Sequence, residues 1–216
     1  MPQFKYNILC TRPLDSMLIY KAANSNIAID EINFVKTEPV LEKDIIRQIK
    51  ELASKKIIAV FTSMNAVDAV TSQLTTAPDW SIYCVGGMTK ETVFNFFGAN
   101  AVKGTGKNAK TLAEKIILSA NIKEVLFFCG KQRLDELPET LRANDIRVDE
   151  IVTYTTTLIP NFITKDYDGI LFFSPSAVHS FFSDNTIATS VVLFSIGNTT
   201  TATIKTYCTN KVITSE

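Results

Sequence analysis

Apolar residues in this chain fall into short unbroken runs rather than alternating with polar ones. Residues 8–10, 57–61, 82–85, 125–128 and 170–173 are such runs, and 191–196 is another interrupted only by Ser195. Runs of this length predict strands buried on both faces, as in a parallel sheet covered by helices. Helix-period stripes lie between them. Ala66, Val67, Val70 and Leu74 form one; Val93, Phe96 and Phe97 form another, with Gly98 placed to end it. Thr111 and Glu114 make a capping-box pattern ahead of Leu112, Ile116 and Ile117, which predicts a helix over 111–120. Ser174 followed by Pro175 suits an N-cap and first helical position. Strand and helix alternate, so the fold class is α/β with parallel sheets flanked by helices.

The pattern is also written twice. Phe61-Thr62-Ser63-Met64-Asn65-Ala66-Val67 returns as Phe172-Phe173-Ser174-Pro175-Ser176-Ala177-Val178, an offset of 111 (172 − 61). At the same offset Tyr83-Cys84-Val85-Gly86 returns as Phe194-Ser195-Ile196-Gly197. A fainter pair shares an offset of 119 (128 − 9): Leu9-Cys10 with Phe128-Cys129, and Asp30-Glu31-Ile32 with Asp149-Glu150-Ile151. An A–B–A′–B′ chain implies two similar lobes with a ligand cleft between them. Two pairings are open. In the tandem one, A joins B and A′ joins B′. In the exchanged one, B and A′ form a continuous lobe, A and B′ meet around it, and the chain crosses twice. The Thr- and Val-rich stretches 35–38 and 153–159, with Pro39 and Pro160 nearby, suit those crossovers.

In such sheets ligands lie off the carboxyl ends of the strands, against helix starts. Thr62-Ser63 and Ser174-Pro175-Ser176 occupy such turns, as do Gly86 and Gly197-Asn198-Thr199-Thr200. Ser and Thr there cap helices in most proteins, but four related turns in a symmetric set point to carboxylate or phosphate binding. Lys plus Arg equals Asp plus Glu at 22 each, which argues against a nucleic-acid partner. No apolar run approaches a membrane span and none resembles a signal peptide, so the expectation is a cytoplasmic protein away from membranes. Cys10, Cys84, Cys129 and Cys208 lack metal-ligand spacing; Cys10 and Cys129, at equivalent repeat positions, read as buried thiols, and no metal is expected. His179, the single histidine, has no partner motif. Gly104-Thr105-Gly106-Lys107 fails as a phosphate loop, because Asn108 follows the lysine and Ala101 stands where the first glycine belongs, and it reads as a loop.

Taken in order, several segments resemble the uroporphyrinogen-III synthase family over nearly the whole chain. They are Thr11-Arg12-Pro13; Phe61-Thr62-Ser63 with Asn65-Ala66-Val67; Gly130 with Arg133; Leu137-Pro138 with Leu141; Val152 with Tyr154; Phe173-Ser174-Pro175-Ser176-Ala177-Val178; and Ile196-Gly197 with Thr199-Thr200. The resemblance implies the exchanged pairing and a two-stranded crossover connector. The discontinuous lobe is then 1–35 with 159–216, and the continuous lobe 36–158. It implies closure of linear hydroxymethylbilane to uroporphyrinogen III with inversion of ring D through a spiro intermediate and loss of water. No cofactor is implied. The expected protein is a monomer in heme and porphyrin biosynthesis, supplied by transient hand-over from hydroxymethylbilane synthase.

The substrate carries eight carboxylates, so the family resemblance gives the helix-start turns a ligand. Thr62, Ser63, Asn65, Gly86, Ser174, Ser176, Gly197, Thr199 and Thr200 are expected to bind it, with Arg12 and Arg133 adding charge-assisted contacts. Tyr154 matches the family's crossover tyrosine and is expected to act as general acid toward the leaving hydroxyl. One departure stands out. Glu216 corresponds to Thr105 by the 111 offset, so a counterpart of the 111–120 helix is expected to be missing and one sheet face partly bare. Two other classes fit the fold physics: a non-enzymatic two-lobed hinge protein that binds a small anion, and a nucleotide-using transferase. The transferase lacks its phosphate motif.

Overall fold

The computed structural model describes residues 4–40, 42–119 and 121–215. The chain opens with β1 (Tyr6–Cys10), α1 (Ser16–Asn24), β2 (Ile27–Glu31) and β3 (Val35–Pro39). It continues with α2 (Lys43–Leu52), β4 (Ile58–Phe61), α3 (Met64–Thr71), β5 (Ser81–Val85), α4 (Met88–Phe97) and β6 (Val102–Gly106). Then come α5 (Ala109–Ile117), β7 (Glu124–Gly130), α6 (Glu136–Arg142) and the long β8 (Arg147–Leu158). β9 (Gly169–Phe172), α7 (Pro175–Asp184), β10 (Val192–Ser195), α8 (Asn198–Ile204) and β11 (Val212–Thr214) complete it. Two compact units result: Met1–Lys36 with Thr157–Glu216, and Thr37–Thr156. Both β3 and β8 run across the division.

The first unit holds a sheet in the order β2-β1-β9-β10-β11, parallel throughout. The second holds β8-β7-β4-β5-β6, again parallel, with β3 outside β8. The two orders correspond strand for strand. The repeat register holds as well: Phe61 pairs with Cys84, and Phe172 with Ser195, each 111 residues on. Each sheet therefore joins strands from both halves of the chain, which is the exchanged pairing.

The register corrects one alignment. Leu9 pairs with Ile170, while Leu126 pairs with Ala59, the repeat equivalent of Ile170. Leu9 thus corresponds to Leu126 and Cys10 to Phe127, so Cys10 and Cys129 are not equivalent positions. Their mismatch of two residues preserves the face of the strand, which is why both thiols are buried all the same. Asp30 and Asp149 do correspond, each opposite the matching leucine.

In the second unit both sheet faces carry a core. One packs Phe61, Val67, Val70, Trp80, Ile82, Val93, Phe97 and Phe128 under α3 and α4. Phe128 stacks on Phe61 at 5.2 Å and on Trp80 at 5.5 Å, and the Trp80 indole N–H donates to the Leu52 carbonyl at 3.1 Å. The other face buries Leu112, Ile116, Val125, Phe127, Leu137 and Leu141 under α5 and α6. Among the described residues the first unit has one such core, with Leu9, Ile170, Phe172, Val178, Phe181, Leu193 and Ile204 under α7 and α8. On its opposite face Ile8, Leu171, Val192 and Phe194 are half-buried and Ile213 is exposed. There α1 has no buried residue, and Met17, Leu18 and Tyr20 face solvent.

Caps explain the helix boundaries. Ser174 caps α7 and Pro175 occupies its first turn; Gly98, at φ +79°, ends α4. The capping box of α5 lies three residues earlier than expected. Asn108 is the N-cap, its side chain accepting from the Thr111 N–H at 2.9 Å while Thr111 Oγ1 accepts from the Asn108 N–H at 3.0 Å. Asn outranks Thr as a cap, so Thr111 serves as the reciprocal partner. Of the expected 111–120 helix, Ala120 lies outside the described residues, as does Glu216. Of the stretch read as a loop, Gly104, Thr105 and Gly106 belong to strand β6 and only Lys107 lies in the turn before α5; at Gly106 the chain runs directly against α5. A β-carbon at Gly106 would come within 2.3 Å of the Leu112 nitrogen.

Ser180, inside α7, is fully buried and its Oγ has no hydrogen-bond partner. An unpaired buried hydroxyl costs roughly 1–3 kcal/mol. Ser180→Ala is therefore expected to keep or raise stability in urea unfolding, by about 1 kcal/mol. A loss of that size would show that the hydroxyl is bonded.

Candidate functional site

The carboxyl end of the second unit's sheet gathers half of the expected residues. β4 ends at Phe61, and Thr62 and Ser63 turn the chain into α3. Ser63 caps that helix, its Oγ accepting from the Asn65 N–H at 3.2 Å. After β5 the Gly86 N–H donates to the Gly106 carbonyl at 2.9 Å. Gly87, at φ +65°, takes the N-cap of α4, a left-handed conformation that favours glycine.

Beyond β7 the Arg133 guanidinium is engaged by Glu150 and by Asp135, the latter at 2.6 Å; Arg142 reaches Glu150 at 2.7 Å. Chiefly through the Arg133 hydrogen bond, this clamp holds the Glu150 carboxyl below its ordinary range and pushes the guanidinium higher. It braces the turn that follows Gly130, where the Arg133 N–H closes onto the Gly130 carbonyl at 3.2 Å.

Tyr154 owes its position to a slip in the ladder. Cys129 pairs with Val152, but Gly130 pairs with Tyr154, so Thr153 is an extra residue in β8. Its hydroxyl returns to the Cys129 carbonyl at 3.3 Å. An inserted residue reverses the alternation of faces beyond it. Ile151 lies in the core under α3 and α4, and Val152 packs on the α5–α6 side. Regular alternation would return Tyr154 to the α5–α6 side; the bulge puts it on the α3 side. The ring then lies against the backbone of Gly130, where a β-carbon would come within 2.5 Å of Tyr154 Cζ. Burial raises the phenol above its ordinary value, and the neighbouring Ser63 hydroxyl offsets part of that rise.

Beside the ring is a depression of about 290 Å³ lined by Thr37, Pro39, Asn65, Asp68, Ala69, Ser72 and Tyr154. Asn65, Asp68, Ala69 and Ser72 are successive positions on one face of α3. Asp68 and Thr37 had not been marked by the sequence. Thr89 had not either, although the 111 offset pairs it with Thr200, and both are buried at the second position of their helices or one beyond it.

The first unit gathers the remainder at its own carboxyl edge, off β1, β9 and β10. Arg12 is exposed, its guanidinium 4.2 Å from the centre of the Phe173 ring. Ser174 Oγ accepts from the Ala177 N–H at 3.1 Å, and Ser176 is half-buried in the same first turn. Gly197 precedes α8 in extended backbone. Thr199 is exposed but Thr200 is only 3% exposed, which leaves Thr199 as the accessible hydroxyl of the pair. His179 is exposed on α7, with Nδ1 2.7 Å from the Tyr207 hydroxyl. Among the described residues no group of three or more His, Cys, Asp or Glu is placed to hold a metal ion. No described helix is long and apolar enough to cross a membrane.

A family model described as uroporphyrinogen-III synthase HemD matches residues 21–216. No curated protein matches. Among solved structures, a mutant uroporphyrinogen III synthase from the extremely thermophilic bacterium Thermus thermophilus is similar at a TM-score of 0.69 and 14% identity, over 98% of this chain and 92% of that one. Uroporphyrinogen-III synthetase from Helicobacter pylori is similar at 0.64 and 15% identity, over 96% and 92%. At such identities these structures show a shared fold.

The bulge geometry has a spectroscopic consequence. In an ultraviolet titration, the difference between wild type and Tyr154→Phe isolates one phenol, expected to ionise above the ordinary tyrosine value of about 10. Gly130→Ala, which forces the ring off its backbone seat, should return that ionisation toward about 10. An unshifted Tyr154 in the wild type would contradict the burial described.

Proposed function

This chain belongs to the uroporphyrinogen-III synthase family, and from that premise we propose that residues at the carboxyl edge of each sheet bind hydroxymethylbilane and that Tyr154 protonates the departing hydroxyl. The family reaction closes this linear tetrapyrrole to uroporphyrinogen III, with ring D inverted and water lost. It places the chain among lyase-class enzymes of tetrapyrrole synthesis.

The observation that carries the proposal is the seat of Tyr154. Its phenol is partly desolvated and protonated at neutral pH, so it can donate but does not compete as an anion. In the step proposed, the C–O bond of the hydroxymethyl group breaks and its electron pair leaves with oxygen. That oxygen takes the Tyr154 proton and departs as water. The substituted carbon of ring D attacks the electrophilic ring A terminus to give the spiro intermediate, which opens and recloses with ring D turned over. The proton lost from ring D on final closure restores the phenol. The pyrrole electrons drive departure of the hydroxyl, so the reading needs no cofactor.

The substrate's eight carboxylates require donors more than bulk charge. Backbone N–H groups at the starts of α3, α4 and α7 supply them, beside the hydroxyls of Thr62, Ser63, Ser176 and Thr199 and the exposed Arg12. Ordering a flexible chain so that its ends meet is worth up to about 7–11 kcal/mol in favourable systems. Spontaneous closure of the free bilane competes with this ordering, which favours direct hand-over from hydroxymethylbilane synthase to a monomeric acceptor.

Tyr154→Phe is expected to lower kcat by roughly 10²–10⁴-fold, the range for general acid catalysis, with KM little changed. Turnover within about twofold of wild type would remove Tyr154 from the reaction. Thr199→Val should leave kcat in place and raise KM by roughly 2–10-fold, the equivalent of one hydrogen bond. An unchanged KM would take Thr199 out of the binding surface.

A further inference from the structure

We infer that Asp68 is a substrate-contacting residue of this enzyme, whose carboxylate accepts the N–H of the pyrrole ring that carries the leaving hydroxyl and sets that ring's orientation beside Tyr154. The inference rests on the reading of Tyr154 above and extends it to a second group in the same depression.

The geometry comes from α3 and the bulged strand together. Asp68 stands on the face of α3 formed with Asn65, Ala69 and Ser72, and that face lines the depression with Tyr154, Thr37 and Pro39. At about 290 Å³ the depression has room for one substituted ring rather than a whole tetrapyrrole. Among the described residues no hydrogen bond or ion pair reaches the Asp68 carboxylate. Asp68 is an exposed residue, and the partial desolvation it undergoes beside the depression raises its affinity for a proton and so its strength as an acceptor.

A pyrrole ring of the substrate has two chemically opposite edges. One bears acetate and propionate groups, which a carboxylate repels. The other presents the N–H, which a carboxylate accepts. A lone carboxylate in the depression therefore admits the ring N–H first, whereas the donor-rich helix starts attract the acidic edges. The hydroxymethyl carbon is bonded to the ring carbon next to nitrogen, so the leaving hydroxyl and the N–H share an edge. Asp68 and Tyr154 share a depression in the same way, an acceptor for the N–H beside a donor for the hydroxyl. When the C–O bond breaks, positive charge spreads onto that nitrogen. An acceptor already in place stabilises this charge more than it stabilises the neutral ring.

The test is steady-state kinetics with fresh hydroxymethylbilane on wild type, Asp68→Asn, Asp68→Ala and Asp68→Glu. Products are oxidised and the type I and type III isomers separated. Folding is checked by the fluorescence of Trp80, the only tryptophan, which is buried in the same unit. Asp68→Ala is expected to lower kcat/KM by about tenfold or more, as for loss of a charged hydrogen bond. Asp68→Asn should fall nearly as far, mainly in kcat, because it keeps an oxygen but not the charge. Asp68→Glu should recover part of the loss, and in the two weakened variants the share of type I isomer should rise. Folded Ala and Asn variants with wild-type kcat, KM and isomer ratio would overturn the assignment while leaving the Tyr154 reading intact. A kcat/KM loss that Asp68→Glu does not relieve, with an unchanged isomer ratio, would also overturn it, since it marks a merely structural role. Wild-type protein forming no type III isomer would overturn both.

Discussion

One extra residue in β8 determines what the second unit can do. With Thr153 inserted, the strand's alternation reverses and Tyr154 crosses from the α5–α6 side to the α3 side. There it meets the Ser63 cap, the Asn65–Asp68 face of α3 and a depression able to take a ring. Two further features make the arrangement rigid. Gly130 leaves room for the ring directly against backbone, and the Arg133–Glu150–Arg142 clamp fixes the turn that Gly130 begins. Side chains that act on a reacting atom are best held by strands and caps rather than by loops, and here both do so.

The exchanged chain places corresponding strands in the same order in both sheets while drawing the first unit's sheet from two distant parts of the sequence. β1 is completed by β9 through contacts such as the Thr11 N–H and hydroxyl to the Leu171 carbonyl, at 3.1 and 2.8 Å. The first unit cannot assemble until nearly the whole chain is available, whereas the second is continuous from Thr37 to Thr156. Non-local pairing of this kind loses its loop-closure entropy before the contacts offset that loss, so the continuous unit is the natural first to fold.

Much of the architecture was legible in the sequence because the buried parallel strands are unbroken apolar runs and the repeat recurs at one offset. The core strands, the Ser63 and Ser174 turns and the Gly98 terminus all follow from those signals. β6 was misread because an edge strand that lies against helix backbone is made of glycine and threonine rather than valine and leucine. The equivalence of Cys10 and Cys129 failed because a two-residue slip leaves the inside–outside pattern unchanged. Tyr154 could be named but not placed, since a bulge is a property of two paired strands and β8 alone does not reveal it. Asp68 carried no signal at all; an acidic residue on an amphipathic helix looks like any solvated position until the strand beside it is known.

The chemistry asked of this arrangement is selective rather than forceful. Hydroxymethylbilane closes without help to the non-inverted ring, so the work of the protein is to hold the reacting ends where the spiro route is faster. The most direct test is to supply freshly made hydroxymethylbilane to the wild-type protein, oxidise the products and resolve the uroporphyrin isomers by chromatography. The account predicts predominantly type III, formed faster than the protein-free background. Type I alone, at the background rate and from a folded sample, would contradict it.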